Sequence, residues 1–203
     1  MSKIRYAALR NLDISNGENV GVALFVQGCK FHCYNCFNAE TWDFNGGEEW
    51  TQGIKEKFLQ LIDKPYIKRV SLLGGEPLAD ENLDGVLNLV TEINNRYNSK
   101  KMESKNPRKI GILKNENTNK RRISSANKLI WLYTGYCWED IFSNKYTNNS
   151  LRQQIISKCD VLIDGPYIDS KRDITLKWCG STNQRVIDIK KSLQSGEIVL
   201  WKG

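Results

Sequence analysis

The chain has 203 residues, 40% of them hydrophobic and 10% aromatic, which is too apolar for a disordered chain and long enough for one sizeable core. It carries 30 Lys and Arg against 23 Asp and Glu, a formal charge of +7, and no apolar run approaches the length of a membrane span. The first residues lack the continuous apolar stretch of a secretory signal, and six cysteines are too few for a disulfide-stapled domain, so the expected setting is the reducing cytoplasm.

In chain order, the first buried-strand candidate is residues 20–26 (VGVALFV), followed directly by Cys29, Cys33 and Cys36. Residues 51–63 read as a helix, with Thr51 as its cap and Ile54, Phe58, Leu61 and Ile62 on one face. A second strand over 69–73 runs into Gly74-Gly75-Glu76-Pro77. Residues 82–97 repeat the helical spacing through Leu83, Val86, Leu87, Val90 and Ile93.

Residues 98–128 break this pattern. The segment is rich in Asn, Lys and Ser and holds seven Lys and three Arg against Glu103 and Glu116, whereas the rest of the chain has 20 basic and 21 acidic residues. The positive balance is therefore local, and the segment reads as a basic surface insertion within a single domain covering 1–203. It has no aromatic side chain to stack on a base, so nucleic acid is not the expected partner. Docking onto an acidic protein surface stays open.

Beyond it, residues 129–133 read as a strand, 149–158 as a helix, and 160–163 as a strand ending at Asp164-Gly165-Pro166-Tyr167. Residues 185–188 and 197–201 read as two further short strands. Strands alternating with helices make an α/β domain of mostly parallel strands with right-handed crossovers. A closed eight-stranded α/β barrel takes about 250 residues. With 98–128 spent on an insertion, the expectation is an incomplete, open (βα) barrel, unwalled on one side.

The strongest chemical signal is the C-x3-C-x2-C loop of Cys29, Cys33 and Cys36, placed where α/β folds put their sites, at the carboxyl end of a strand. Three thiolates at this spacing can hold three irons of a 4Fe-4S cluster, leaving the fourth open to substrate. The competing reading is structural zinc, which wants four closed ligands. His32, the only histidine, sits inside the loop, where adjacent positions rarely direct both side chains at one ion. Cys137, Cys159 and Cys179 are scattered singly and read as buried free thiols. In Gly74-Gly75-Glu76-Pro77 the glycines permit unusual φ and a close approach of backbone to a ligand, and Glu76 offers an acceptor to a ligand ammonium. Alone, this turn would read as strand-to-helix punctuation.

Together, the cysteine motif after the first strand and Gly74-Gly75-Glu76-Pro77 after the second resemble the radical S-adenosylmethionine superfamily. Residues 11–17, 24–29, 36–38, 132–136, 160–167 and 180–185 narrow the resemblance to the activating proteins of anaerobic ribonucleoside-triphosphate reductases, over almost the whole chain outside 98–128. The resemblance implies that Cys29, Cys33 and Cys36 ligate a 4Fe-4S cluster and that Gly74, Gly75, Glu76 and Pro77 hold the methionine moiety of S-adenosylmethionine. It further implies a deoxyadenosyl radical that takes a hydrogen atom from a glycine Cα of the large reductase subunit, and an electron donor such as a flavodoxin-type protein. No side chain need act as acid or base. Before the third cysteine, where many members of the superfamily place an aromatic or bulky apolar residue, this chain has Asn35, with Tyr34 and Phe37 on either side for an adenine contact. Tyr133-Thr134-Gly135, at the end of the third parallel strand, can approach the cofactor, and Asp164-Gly165-Pro166 can line the mouth. Before Gly180, where relatives carry an Arg, stands Cys179. The rival readings are a radical S-adenosylmethionine enzyme acting on a small molecule or another glycyl-radical enzyme, and a non-catalytic Fe-S or zinc binding module.

Overall fold

The structure is a computed structural model that describes residues 4–97, 127–143 and 145–203, so 98–126 of the expected insertion lie outside the described residues. The centre of the fold is parallel: β2 (Gly21–Val26), β4 (Arg69–Gly74), β5 (Leu129–Tyr133) and β6 (Val161–Asp164) run side by side in one direction. Three antiparallel strands flank them, β1 (Arg5–Asp13), β3 (Glu48–Glu49) and β7 (Arg185–Asp188). The seven form one sheet in the order β3-β1-β2-β4-β5-β6-β7. It does not close, and β3 and β7 are its edges.

The helices are α1 (Gln52–Ile62), α2 (Leu83–Tyr97), α3 (Trp138–Ile141), α4 (Asn149–Ser157) and α5 (Ile189–Ser195). The period-two alternation of the strands decides where they pack. Val22, Leu24 and Val26 of β2, Val70 and Leu72 of β4, and Ile130 and Leu132 of β5 share one cluster with Phe58 and Ile62 of α1, Val90 and Ile93 of α2, and Ile155 and Ile156 of α4. All three crossover helices thus cover the same face. The opposite face carries two smaller clusters, Ala23, Phe25 and Leu73 in one and Trp131, Val161 and Ile163 in the other, partly roofed by Trp178 and Trp201 of the tail. No helix among the described residues is long and apolar enough to cross a membrane.

Thr51 caps α1 as its sequence predicts, its hydroxyl oxygen accepting from Ile54 N at 3.3 Å. Thr51→Ala will cost about 1 kcal/mol of unfolding free energy in denaturant titration.

Several expectations are corrected. β1 was not legible because its polar and apolar residues do not alternate cleanly, and its register against β2 is twice shifted. The expected strand at 197–201 reduces to a single bridge between Ile187 and Leu200, while 189–195, which carries no strong pattern, is α5, capped by the Asp188 side chain and ended by Gly196 at φ 77°. Lys128 was expected in the surface insertion. It is instead buried, its ammonium donating to the carbonyls of Lys64 at 3.1 Å and Ile67 at 2.6 Å, so packed structure resumes earlier than the apolar run shows.

At the amino end of β4, Arg69 is fully buried and pairs with Asp13 at 2.8 Å. Its guanidinium also donates to the carbonyls of Asn16 and Glu18 and to the Ser71 hydroxyl. Gly17, at φ 128°, lies so close that a Cβ there would meet Arg69 Cδ at 2.5 Å, which is why that turn needs glycine.

Candidate functional site

The four parallel strands deliver four loops to one end of the sheet, and hydrogen bonds lace these loops together. After β2, Gly28 N donates to Thr41 O at 2.7 Å and Cys29 N to Trp42 O at 3.0 Å, which pins the cysteine loop to the turn that follows it. Gly28 sits at φ 96° against the Phe44 ring, which a Cβ would meet at 2.1 Å. After β4, Gly75 N donates to Val26 O at 2.8 Å and Glu76 N to Gly28 O at 2.7 Å, joining the glycine-rich turn to the start of the cysteine loop.

Glu76 extends the lacing to β5. Its buried carboxylate accepts from Leu78 N and the Thr134 hydroxyl through Oε1 and from Gly135 N through Oε2, each at 2.8 Å. Burial pushes this carboxyl up to about 7 although all three hydrogen bonds act to lower it. The fourth loop is tied in by Gly165 N, which donates to Tyr136 O at 3.0 Å, and by Asp164, which accepts from Trp138 N and from Arg185.

A Cβ on Gly75 would stand 2.4 Å from Gly28 O, a backbone atom that cannot turn aside. Gly75→Ala will therefore separate the two loops and destabilise the fold by about 1–3 kcal/mol. The expected readout is a lowered Tm together with weakened retention of whatever the site binds.

The loops enclose a cavity of about 530 Å³. Cys29, Cys33, Cys36, Gly74, Gly75, Glu76 and Thr134 all line it. Pro77 is buried behind this wall. Tyr34 and Asn35 are outside the lining: Tyr34 is 77% exposed, and Asn35 takes φ 54°, a left-handed conformation that Asn tolerates better than a bulky residue. That backbone accounts for Asn before the third cysteine. Phe37 does line the cavity. His32 stacks on Trp42 with ring centroids 4.6 Å apart.

The three cysteines are free and partly exposed. Burial pushes the Cys29 thiol up to about 11 and raises Cys33, and a metal bound beside them would favour the thiolates. Asn38 N donates to Cys36 Sγ at 3.4 Å. Among the described residues no three His, Cys, Asp or Glu side chains converge on a single metal ion. A cubane cluster takes each thiolate on a different iron, and three thiols on one loop at the cavity offer it three. The donor set fits a cluster.

Of the cysteines expected as buried free thiols, only Cys159 is fully buried, and Cys179 lines the cavity. Tyr133 and Gly135, expected near the cofactor together with Thr134, line it, and so does Arg10, which was not singled out from the sequence. Arg10 lies on the unread β1, whereas Tyr133 stands at the carboxyl end of an apolar run. Alternation along β5 gives the one signal, since it turns Tyr133 away from the helices with Trp131.

These observations describe an iron–sulfur protein with its site at the carboxyl ends of parallel strands. The chain belongs to the 4Fe-4S single cluster domain family, whose model matches residues 15–125 and 117–187, and within it to the family of anaerobic ribonucleoside-triphosphate reductase-activating proteins. It is 30% identical over 175 residues to the protein of that name from Vibrio cholerae serotype O1, covering 85% of this chain and 90% of the relative. It is 29% identical over 177 residues to that of Escherichia coli strain K12, covering 86% and 92%. To that of Enterobacteria phage T4 it is 29% identical over 185 residues, covering 90% and 93%.

Proposed function

We propose that this chain is a radical S-adenosylmethionine activase that generates a glycyl radical on the large subunit of an anaerobic ribonucleoside-triphosphate reductase. The observation that carries the reading is the convergence of Cys29, Cys33 and Cys36 with the Gly74–Gly75–Glu76 turn on one cavity. The names of the relatives agree with it. In this reading 1–203 is a single domain working in the cytoplasm, and a flavodoxin-type protein supplies the electron.

Packing of α1, α2 and α4 on one face makes the sheet singly wound, which supports an incomplete (βα) barrel whose bare face is the lumen. Cys29, Cys33 and Cys36 would each hold one iron, leaving the fourth iron for the methionine moiety. When bound, the cluster and S-adenosylmethionine would supply the hydrogen-atom abstraction, driven by one electron from the donor. The chain's own work is placement. Glu76, with three of about four acceptor positions already filled, keeps one for the ligand ammonium. Gly74 and Gly75 let the backbone approach the ligand, and of the two aromatic residues flanking Asn35 it is Phe37 that lines the cavity and so offers a ring to an adenine.

The mouth suits a protein substrate. Phe37 and Ile174 both line the cavity, yet are 58% and 85% exposed, so a partner that covers the mouth buries apolar surface there.

The test is anaerobic: reconstitute the full chain with iron and sulfide, add S-adenosylmethionine and dithionite, and measure deoxyadenosine and methionine. The reading expects about four irons per chain and equimolar release of both products. Zinc in place of iron, with no cleavage, would overturn it.

A further inference from the structure

β1 carries a cation into the cavity. Arg10 stands opposite Ala23 of β2, so it shares the lumen face with Ala23 and Phe25, and its exposed side chain lines the cavity. Its guanidinium lies over the Phe25 ring, with Cζ 4.3 Å from the centroid, and Phe25 lines the same cavity. That contact leaves the N–H donors of the guanidinium without acceptors. Among the described residues Arg5, Arg69, Arg96, Arg152 and Arg185 each pair with a carboxylate, whereas Arg10 makes neither an ion pair nor a side-chain hydrogen bond. Arg172 also lacks an ion pair there, but it is not part of the cavity wall. The two carboxylates of the lining are engaged elsewhere, Glu76 as described above and Asp173 by Thr175 N at 2.8 Å and the Thr175 hydroxyl at 2.7 Å.

We infer that Arg10 pairs with a side-chain carboxylate of the peptide segment that enters the cavity, and so positions that segment for the attack on its glycine. This rests on the activase reading. In that reading the methionine moiety already has its partners, the open iron and Glu76, so the guanidinium is left for the substrate. A reductase that covers the mouth strips water from Arg10, and a desolvated guanidinium with no anion beside it is strongly unfavourable. The carboxylate must therefore arrive with the partner. A guanidinium fork matches it through two parallel N–H···O bonds, which a lysine ammonium does not reproduce. The backbone of Arg10 lies opposite a residue three places, about 10 Å, short of the end of β2 at Val26, which leaves room between anchor and cysteine loop for the residue attacked.

The experiment compares wild type with Arg10→Gln, Arg10→Lys and Arg10→Glu, each reconstituted anaerobically as the full chain and assayed with the intact large reductase subunit. Because the side chain is exposed and makes no ion pair, Tm and iron content should match wild type, and S-adenosylmethionine affinity, measured by equilibrium dialysis, should be unchanged. The inference expects the KM for the reductase to rise about tenfold in Arg10→Gln with kcat retained, less in Arg10→Lys, and about tenfold further in Arg10→Glu, where like charges repel. It also expects added salt to raise KM in wild type and much less in Arg10→Gln. Equal KM in wild type and Arg10→Gln would overturn it. So would equal KM in Arg10→Gln and Arg10→Glu, which assigns the donors to neutral carbonyls, and so would weaker S-adenosylmethionine binding in Arg10→Gln, which assigns the guanidinium to the cofactor. If wild type itself forms no glycyl radical, the activase reading falls, and this inference with it.

Discussion

Cys33→Ala will leave the sheet folded and abolish iron retention, with radical formation falling to background. The three cysteines sit on a loop held by backbone hydrogen bonds from Gly28, Cys29, Gly75 and Glu76, none of which uses a thiol. Removing one sulfur therefore leaves the lacing intact while, in the proposed reading, taking away the ligand of one iron, and a cluster that relies on only three protein thiolates would have no spare ligand. Far-ultraviolet circular dichroism and Tm should match the wild type without iron. The cluster absorbance after reconstitution should be lost. Cys159→Ala gives the opposite pattern. That thiol is fully buried in the helix-side core, so its loss will cost about 1 kcal/mol of stability and leave the iron content unchanged.

The second large effect falls on stability. Arg69→Met will cost about 3–5 kcal/mol, which lowers Tm by roughly 6–20 °C in a chain of this size, because Asp13 is left buried and unpaired and the 13–19 turn loses the donors that hold its carbonyls. The pH dependence follows from the same pair. Burial pushes the Asp13 carboxyl up, but the hydrogen bonds from Arg69 and Asn16 and the guanidinium charge outweigh it and hold it below its ordinary value of 3.8. In wild type its contribution is thus fully present above that ordinary value and is lost as pH falls through the lowered one. In the variant the guanidinium charge and its hydrogen bond are gone while burial and the Asn16 hydrogen bonds remain, so the carboxyl titrates higher than in wild type and less of its contribution survives at neutral pH. The gap between the two proteins is therefore widest at neutral pH and closes in acid, as unfolding monitored from pH 7 to pH 2 will show.

Much of this architecture is legible in the sequence for specific reasons. The parallel strands are buried on both faces and read as continuous apolar runs, and α1 and α2 carry clear helical stripes. The cysteine loop and the glycine-rich turn are legible because each spacing is tied to a chemistry. β1 is not legible, since its polar and apolar residues do not alternate cleanly along a register that shifts twice against β2. Lys128 shows the limit of composition: an ammonium on two carbonyls looks, in one dimension, like the end of a basic run. Glu76 was expected to offer an acceptor to a ligand, and its grip on Thr134 and Gly135 could not be read from sequence because it depends on β5 lying beside β4.

The most direct test of the central claim is an anaerobic electron paramagnetic resonance measurement on the reconstituted chain mixed with the large reductase subunit, S-adenosylmethionine and reductant. The account predicts a glycyl radical on the reductase that requires every component and is absent with Cys33→Ala. Cleavage of S-adenosylmethionine with no radical on the reductase, or a radical that persists with Cys33→Ala, would contradict it.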